Sequence, residues 1–133
     1  MTLRPEPPER VDLLAYAVIG AAIEVHRILG RGFLESIYEM ALIEELRARE
    51  IPFENQVSIP IFYKTGLIGE HRLDLLVGGE LVVELKATSG ITDAHLAQTL
   101  SYLKAGAFQL GLVMNFNVRT LKEGGIKRVV SSG

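Results

Sequence analysis

The sequence predicts one domain of the α/β (α+β) class, in which helices flank a mixed β-sheet. Two stretches near its start repeat apolar residues at helical spacing, and three shorter stretches after them are typical of antiparallel strands. A third helical stretch then separates two apolar strands, and a right-handed crossover of this kind makes those strands parallel. A chain of 133 residues is long enough to bury one hydrophobic core of its own.

The two N-terminal helices are predicted from apolar periodicity. The stretch from Val11 to Leu29 follows the spacing of an amphipathic helix, and Gly30-Arg31-Gly32 would end it. A second helix is expected from about Leu34 to Arg49, because Pro52 blocks its continuation. The sequence therefore places two helices before the first strand.

The remaining elements are strands and one further helix. Alternating apolar residues predict a strand over Gln56–Tyr63, and the turn Lys64-Thr65-Gly66 leads into the next one. Thr92 is the expected N-cap of a third helix that runs to about Ala105, with Gly106 as its C-cap. The later predicted strands are Leu81–Ala87, Phe108–Met114 and Ile126–Val130.

Composition excludes several classes of protein. Without cysteine the chain forms neither disulfides nor thiolate metal sites. Residues 1–10 lack the apolar core of a signal peptide and are predicted to be a disordered lead-in, which leaves residues 11–133 as a single domain. No apolar stretch is long enough to span a bilayer, so we expect a cytoplasmic protein without membrane contact. The net charge of −2 argues against general affinity for nucleic acid but permits a local basic groove.

Two acids interrupt apolar strands where a buried strand rarely keeps a charge. Asp74 follows Arg72-Leu73, and Glu84-Leu85-Lys86 comes ten residues after it, beyond a Gly-Gly turn. An ionised carboxylate among leucines and valines is costly unless another group compensates it. Because one hairpin brings both acids and the lysine together, the pattern indicates a metal site with a catalytic lysine beside it.

Strand parity tests this hairpin. Side chains alternate between the two faces of a strand, so Leu73, Leu75 and Val77 are expected on one face and Asp74 on the other. If Val77 lies opposite Leu81, the apolar rows of both strands line the same core.

The same register places Asp74 opposite Glu84, with Lys86 on the same face as the two acids. It requires a three-residue connection, Gly78-Gly79-Glu80, or a bulge, because a two-residue turn would send Glu84 to the wrong face. The hydrophobic pattern and the proposed chemistry therefore select one register.

The chemistry of these side chains suits a divalent metal. Asp74 and Glu84 supply the hard oxygen ligands that Mg²⁺ or Mn²⁺ prefers, with water and a substrate phosphate completing the shell. Lys86 could orient or deprotonate the attacking water, or stabilise the pentavalent phosphate. From charge alone, a surface salt bridge between Lys86 and one carboxylate explains the residues equally well.

Asp74 followed by Glu84-x-Lys86 on the next strand resembles the core of the PD-(D/E)XK nuclease superfamily. Gln98-Thr99-Leu100-Ser101-Tyr102 is similar to the Q-x-x-x-Y motif of its RecB-like branch. Gly32-Phe33-Leu34-Glu35-Ser36-Ile37-Tyr38 resembles the signature of the small bacterial and archaeal GxxExxY proteins, which are assigned to the same superfamily. The resemblance covers roughly Val11 to Arg128.

This resemblance implies a fold and a metal site. The fold would be restriction-endonuclease-like, with core order αβββαβ and an extra N-terminal helix. Asp74 and Glu84 would bind Mg²⁺ (or Mn²⁺), and the Leu85 carbonyl could be a further ligand. Glu35 would correspond to the acid that RecB-like nucleases carry on an early helix, near the metal.

The resemblance also implies catalytic and substrate-binding roles. Lys86 would be the catalytic lysine beside Asp74 and Glu84. Gln98 and Tyr102 lie one helical turn apart and would line the site and contact the nucleic-acid backbone. Gln98 would thereby belong to the catalytic set.

Other polar residues have simpler interpretations. His95 is expected to cap the third helix, although it could approach the phosphate. His26 is expected to be a hydrogen-bonded core or interface group, and His71 a surface residue. For Tyr38 two readings stay open: a hydrogen bond to a carboxylate, or packing against the sheet.

The favoured function is a divalent-metal-dependent nuclease that hydrolyses phosphodiester bonds of DNA or RNA. The main alternative is a nuclease-fold module that binds nucleic acid or a protein partner without cutting it. A third possibility is a structural module that oligomerises through its apolar first helix, and a homo-oligomer formed by the N-terminal helices is compatible with all three.

Overall fold

The computed structural model describes residues 6–131, and this range contains three helices and five strands. The helices are α1 (Glu9–Leu29), α2 (Glu35–Ala48) and α3 (Asp93–Gly106). The strands are β1 (Phe53–Tyr63), β2 (Gly66–Val77), β3 (Leu81–Lys86), β4 (Leu110–Asn115) and β5 (Ile126–Val130). Their order confirms the predicted αβββαβ core with an extra N-terminal helix. Between residues 6 and 131, no helix combines the length and apolar character needed to cross a membrane.

The five strands form one mixed sheet in the order β1-β2-β3-β4-β5. β3 and β4 are parallel, whereas the other neighbouring strands are antiparallel. The chain passes from β3 to β4 through α3, so the crossover predicted from the sequence is confirmed. This restriction-endonuclease-like arrangement places the carboxyl ends of β3 and β4 at the same edge of the sheet.

The helices cover both faces of the sheet. α1 and α2 pack on one face, where Val18 and Ala22 of α1 are fully buried in a cluster that includes Val83. α3 packs on the other face, where Leu103 meets Val82. Each fully buried Val or Leu side chain contributes about 1.5–3 kcal/mol relative to an exposed one. The central strands are therefore apolar on both faces.

α1 begins at Glu9, two residues earlier than predicted. Glu9 and Arg10, assigned above to the disordered lead-in, therefore belong to the helix. The Arg10 guanidinium pairs with Glu80 at 2.6 Å and so ties the helix start to the β2–β3 turn. The part of the predicted lead-in that covers residues 1–5 lies outside the described residues.

The ends of α3 were predicted in part. Thr92 is the N-cap, and its hydroxyl accepts a hydrogen bond from the His95 N–H at 3.2 Å. The C-cap is Ala107, which has φ 59°, so the expectation for Gly106 was wrong. A Cβ at Gly106 would lie 2.4 Å from the Phe108 ring, so a larger residue there would displace that ring.

The β2–β3 hairpin has the predicted register. Val77 lies opposite Leu81, and the three-residue connection Gly78-Gly79-Glu80 joins the strands. Gly78 and Gly79 have φ values of 59° and 72°, which glycine adopts without strain. The acids Asp74 and Glu84 consequently meet at the far end of the hairpin.

The prediction that Leu73 lies on the same face of the sheet as Leu75 and Val77 was wrong. Leu75 packs on the α1/α2 face as expected, but Leu73 packs on the α3 face. The neighbouring strand changes face at the same level, since Phe53 packs on the α1/α2 face and Val57 on the α3 face. Between them Gln56 has φ 53°, a left-handed conformation that breaks the alternation of side chains.

Candidate active site

The two acids are held by the backbone of the hairpin they interrupt. The ladder between β2 and β3 ends at the pair Leu75–Val83. At the next position the Asp74 N–H donates to Glu84 Oε2 at 3.3 Å, and the Leu85 N–H donates to Asp74 Oδ2 at 2.8 Å. The carboxylates thus replace backbone carbonyls as acceptors, which fixes both side chains without a ligand.

Glu84 is 5% exposed and faces Asp74. Burial raises the pKa of Glu84 to about 8, and the charge of Asp74 contributes in the same direction. Glu84 therefore keeps a proton near neutral pH, because a buried carboxyl beside a negative charge ionises only at a cost. A divalent cation held by Asp74 and Glu84 would replace that proton.

A cleft of about 120 Å³ surrounds the acid pair. It contains every residue that the sequence assigned to the site, and its lining consists of Glu35, His71, Arg72, Asp74, Glu84, Leu85, Lys86, His95, Gln98, Thr99 and Tyr102. β2 and β3 supply the acids and the lysine, α3 supplies Gln98 and Tyr102, and the first residue of α2 is Glu35. The assigned residues are thus neighbours, while their roles stay predictions.

The salt-bridge interpretation of Lys86 receives no support. Among residues 6–131, no carboxylate oxygen lies within 4.0 Å of the Lys86 ammonium group. The loop after Lys86 is held by Asn115 of β4. The Asn115 side-chain amide donates to the Thr88 carbonyl at 3.0 Å, and its oxygen accepts from the Thr88 N–H at 3.1 Å. Lys86 therefore ends its strand with an ammonium group free to contact a ligand in the cleft.

The donor set of the cleft fits a hard divalent cation that keeps part of its water shell. Within residues 6–131 no three side chains of His, Cys, Asp or Glu are arranged as a metal cluster, so the protein offers no closed cage. Mg²⁺ is commonly held by one or two carboxylates together with water and substrate phosphate. Asp74 and Glu84 meet this requirement, and the Leu85 backbone N–H faces Asp74.

His71 belongs to the site, so its prediction as a surface residue was wrong. Its Nε2 lies 3.2 Å from Glu84 Oε1, and its ring stacks on Tyr102 with centroids 3.4 Å apart. Burial lowers the pKa of His71. The charge of Asp74 raises this pKa, and the charge of Lys86 lowers it further. The balance of these effects favours the neutral imidazole. The switch of faces near Gln56 turns His71 toward α3, and no signal in the sequence marks that switch.

Sequence reasoning also missed Glu39, which lies one helical turn after Glu35 on α2. The Gln56 amide donates to its carboxylate at 2.9 Å. Burial raises the pKa of Glu39, and the charge of Asp74 raises it further. The spacing of four residues between Glu35 and Glu39 was the available signal, because such a pair shares one helix face.

Three aromatic or imidazole residues follow their simpler interpretations. His26 is buried, and its Nε2 lies 3.1 Å from the Phe116 carbonyl oxygen, as expected of a core group. His95 caps α3 and accepts from the Thr92 N–H at 3.1 Å, while it also lines the cleft. Tyr38 packs against Phe116, and its hydroxyl donates to the Gly30 carbonyl at 2.6 Å. Of the two interpretations of Tyr38, packing is therefore the one that is confirmed.

Comparisons with known proteins agree with the fold. A sequence model of the PD-(D/E)XK nuclease superfamily matches residues 12–129. The crystal structure of SSO0001 resembles 92% of this chain with a TM-score of 0.55 at 18% sequence identity. The chain spans 58% of that protein, and a likeness at this identity concerns the fold alone. No curated protein sequence matches the chain.

Proposed function

This chain belongs to the PD-(D/E)XK nuclease superfamily, and we propose that it is a divalent-metal-dependent nuclease that hydrolyses phosphodiester bonds of DNA or RNA. The observation that carries the proposal is the pair formed by the buried Glu84 and the half-buried Asp74, held by backbone N–H groups in one cleft with Lys86. Two acids in contact at a buried position lower the stability of the protein when both are charged. A module that only binds a partner gains nothing from such a pair, so the alternative without catalysis is not favoured.

In this proposal Asp74 and Glu84 hold Mg²⁺ or Mn²⁺, with the Leu85 carbonyl as a further ligand and Glu35 beside them. When bound, the metal neutralises charge on the scissile phosphate and favours ionisation of the attacking water. The backbone N–H groups of Asp74 and Leu85 keep the two carboxylates oriented while Glu84 releases its proton. Little rearrangement of the hairpin is needed for binding.

Lys86 and the residues of α3 act on the substrate. The Lys86 ammonium group donates hydrogen bonds to the phosphate oxygens, where negative charge increases in the transition state, or orients the attacking water. Gln98 and Tyr102 contact the backbone of the nucleic acid from one face of α3. Gln98 lines the same cleft as Lys86, which supports its place in the catalytic set.

The finer family assignment is part of the proposal. Membership of the GxxExxY proteins is supported by Gly32–Tyr38, in which Glu35 lines the cleft and Tyr38 anchors the α1–α2 turn. The RecB-like motif is supported by Gln98 and Tyr102 in that same cleft. A homo-oligomer formed through the N-terminal helices is also proposed, since Tyr16 of α1 is 81% exposed, and light scattering after size-exclusion chromatography tests it.

The central test is cleavage of single- and double-stranded DNA and RNA by the purified protein. With Mn²⁺ or Mg²⁺ we expect cleavage that EDTA abolishes. Lys86→Ala and Glu84→Ala should reduce the rate by about 10²–10⁴-fold, because each removes a group that acts on the transition state or the metal. Lys64→Ala, which removes a lysine from the exposed β1–β2 turn, is the matched control.

Two results would contradict the nuclease proposal. One is cleavage by the Glu84→Ala variant at the rate of the unaltered protein, which would point to a contaminating enzyme. The other is the failure of the unaltered protein to bind Mn²⁺ in isothermal titration calorimetry at pH 8.5, where most of the Glu84 carboxyl is ionised.

A further inference from the structure

Two stacked rings lie behind the buried acid Glu84. The His71 imidazole of β2 and the Tyr102 ring of α3 are nearly parallel, with an interplanar angle of 9° and centroids 3.4 Å apart. His71 Nε2 in turn lies 3.2 Å from Glu84 Oε1. A continuous line of contacts therefore runs from α3 through the imidazole to the carboxylate.

Both oxygens of Glu84 have a defined partner. Oε2 accepts from the Asp74 N–H, and Oε1 faces His71. A carboxylate that binds a metal is ionised and can only accept hydrogen bonds, so His71 Nε2 must carry the hydrogen in the contact. Without His71 the carboxylate would keep a single fixed oxygen and could rotate about its last bond.

The contacts of His71 place it beside a ligand of the proposed metal. Its ring is packed against Tyr102 on one side, and its Nε2 is directed at Glu84. In this geometry His71 would act on a metal through the Glu84 carboxylate.

We propose that His71 is a positioning residue that holds Glu84 in the orientation for metal binding, and that Tyr102 serves the site through its ring, by fixing the His71 imidazole. This inference rests on the proposed function, because it concerns the metal site of that nuclease. It separates two parts of Tyr102: the ring supports the metal ligand, and the hydroxyl remains available to a nucleic-acid phosphate.

The test is Mn²⁺ affinity measured by isothermal titration calorimetry on folded variants. His71→Ala should weaken Mn²⁺ binding about 10–100-fold, the usual effect of removing a hydrogen-bond partner of a metal ligand. Tyr102→Ala should weaken it about 2–10-fold, the equivalent of one aromatic stack. Tyr102→Phe keeps the ring and should stay within about twofold of the unaltered protein. Tyr63→Ala removes an exposed tyrosine ring and is the matched control.

A second measurement needs no metal. In the proton NMR spectrum the His71 ring protons lie over the Tyr102 ring, so their resonances should be displaced upfield. This displacement should persist in Tyr102→Phe and disappear in Tyr102→Ala. If His71→Ala does not fold, as judged by circular dichroism, His71→Gln takes its place and should retain part of the Mn²⁺ affinity through its amide donor.

The outcomes distinguish this inference from the proposed function. Equal Mn²⁺ affinity in the unaltered protein, His71→Ala and Tyr102→Ala, all folded, overturns the positioning role while leaving the nuclease proposal intact. An unaltered protein that binds no Mn²⁺ overturns both, whatever the NMR displacement shows about the stack. Weaker binding in Tyr102→Phe than in Tyr102→Ala overturns the assignment to the ring.

Discussion

The two halves of the β2–β3 hairpin differ in how their backbone is satisfied. Next to the Gly78-Gly79 turn, Leu75–Val77 and Leu81–Val83 pair as a regular ladder with all side chains buried. Beyond Leu75, the carboxylates of Asp74 and Glu84 accept the hydrogen bonds of the backbone instead. The first half therefore provides stability, and the second half uses the same strands to orient two acids.

This difference shows where a small domain can place two acids side by side within its sheet. Removing one ladder pair leaves backbone N–H groups that need acceptors. The acids supply those acceptors and are fixed in return. The half next to the Gly78-Gly79 turn supports the placement of the acids, because its buried side chains hold β2 and β3 in one register.

The largest effect on stability is expected in the half of the hairpin next to the Gly78-Gly79 turn, where the strands pair as a regular ladder. Leu75→Ala removes a fully buried side chain and should lower the free energy of unfolding by about 2–5 kcal/mol, seen as a fall of roughly 10 °C or more in melting temperature. Leu67→Ala makes the same chemical change at a position of β2 that is 65% exposed and should alter the free energy by no more than about 0.5 kcal/mol.

Below its melting temperature, Leu75→Ala should bind Mn²⁺ as the unaltered protein does. A folded Leu75→Ala variant without metal affinity would show that the two halves are not separable.

In the absence of metal, the half of the hairpin that carries Asp74 and Glu84 should lower the free energy of unfolding as the pH rises. Folding raises the pKa of Glu84 from 4.5 to about 8, so the folded state keeps a proton that the unfolded state releases in that window. The free energy of unfolding therefore falls as pH increases from about 4.5 to about 8. Glu84→Gln removes this titration and should melt at nearly the temperature of the unaltered protein at pH 5, but several degrees above it at pH 9.

Divalent metal should reverse that ranking. Saturating Mn²⁺ at pH 9 should raise the melting temperature of the unaltered protein and leave Glu84→Gln unchanged, because metal binding stabilises only the state that binds it. Differential scanning fluorimetry at both pH values measures all four combinations. A difference between the two proteins that is the same at pH 5 and pH 9 would contradict the titration of Glu84 in this window.

The smallest effect on stability is expected at Gln56, where the side chains of β1 and β2 change from one face of the sheet to the other beside Asp74 and Glu84. Gln56→Gly relieves the left-handed conformation but loses the hydrogen bond to Glu39, so the free energy of unfolding should change by less than about 1 kcal/mol. Gln56→Val should be destabilising by about 1–3 kcal/mol, because a β-branched residue resists positive φ.

Urea denaturation measures both Gln56 variants. Glu54→Val, at an exposed position of the same strand, is the control for the change to valine. If Gln56→Val and Glu54→Val were equally stable, the left-handed residue would not be what determines the switch of faces.

The regular elements were predictable because local rules decide them. Thr92 capped α3 as expected, since a threonine hydroxyl accepts the free N–H groups of a helix start. β3 and β4 are parallel, as expected of neighbouring strands that are joined by a crossover helix. The C-cap was misplaced by one residue, because Ala107 takes the left-handed conformation that was expected of Gly106, while Gly106 packs against the Phe108 ring.

The neighbours of the acids could be predicted only where a motif recorded them. Glu35, Gln98 and Tyr102 were assigned from short motifs, and all line the cleft. His71 was assigned to the surface and Glu39 was not considered. The error at His71 arises where Gln56 breaks the alternation on which parity arguments depend, whereas Glu39 was signalled by its spacing from Glu35 on α2.

By itself, the sequence determined the register of the hairpin and the meeting of Asp74 with Glu84. Alternation near the Gly78-Gly79 turn allows one arrangement that buries both apolar rows, so local pattern was sufficient. Only the tertiary structure decided what surrounds the acids. His71 reaches Glu84 because a left-handed residue on a neighbouring strand turns it toward α3, where Tyr102 stacks on it. Contacts between residues so far apart in the chain follow from packing, which no periodicity within a single strand encodes.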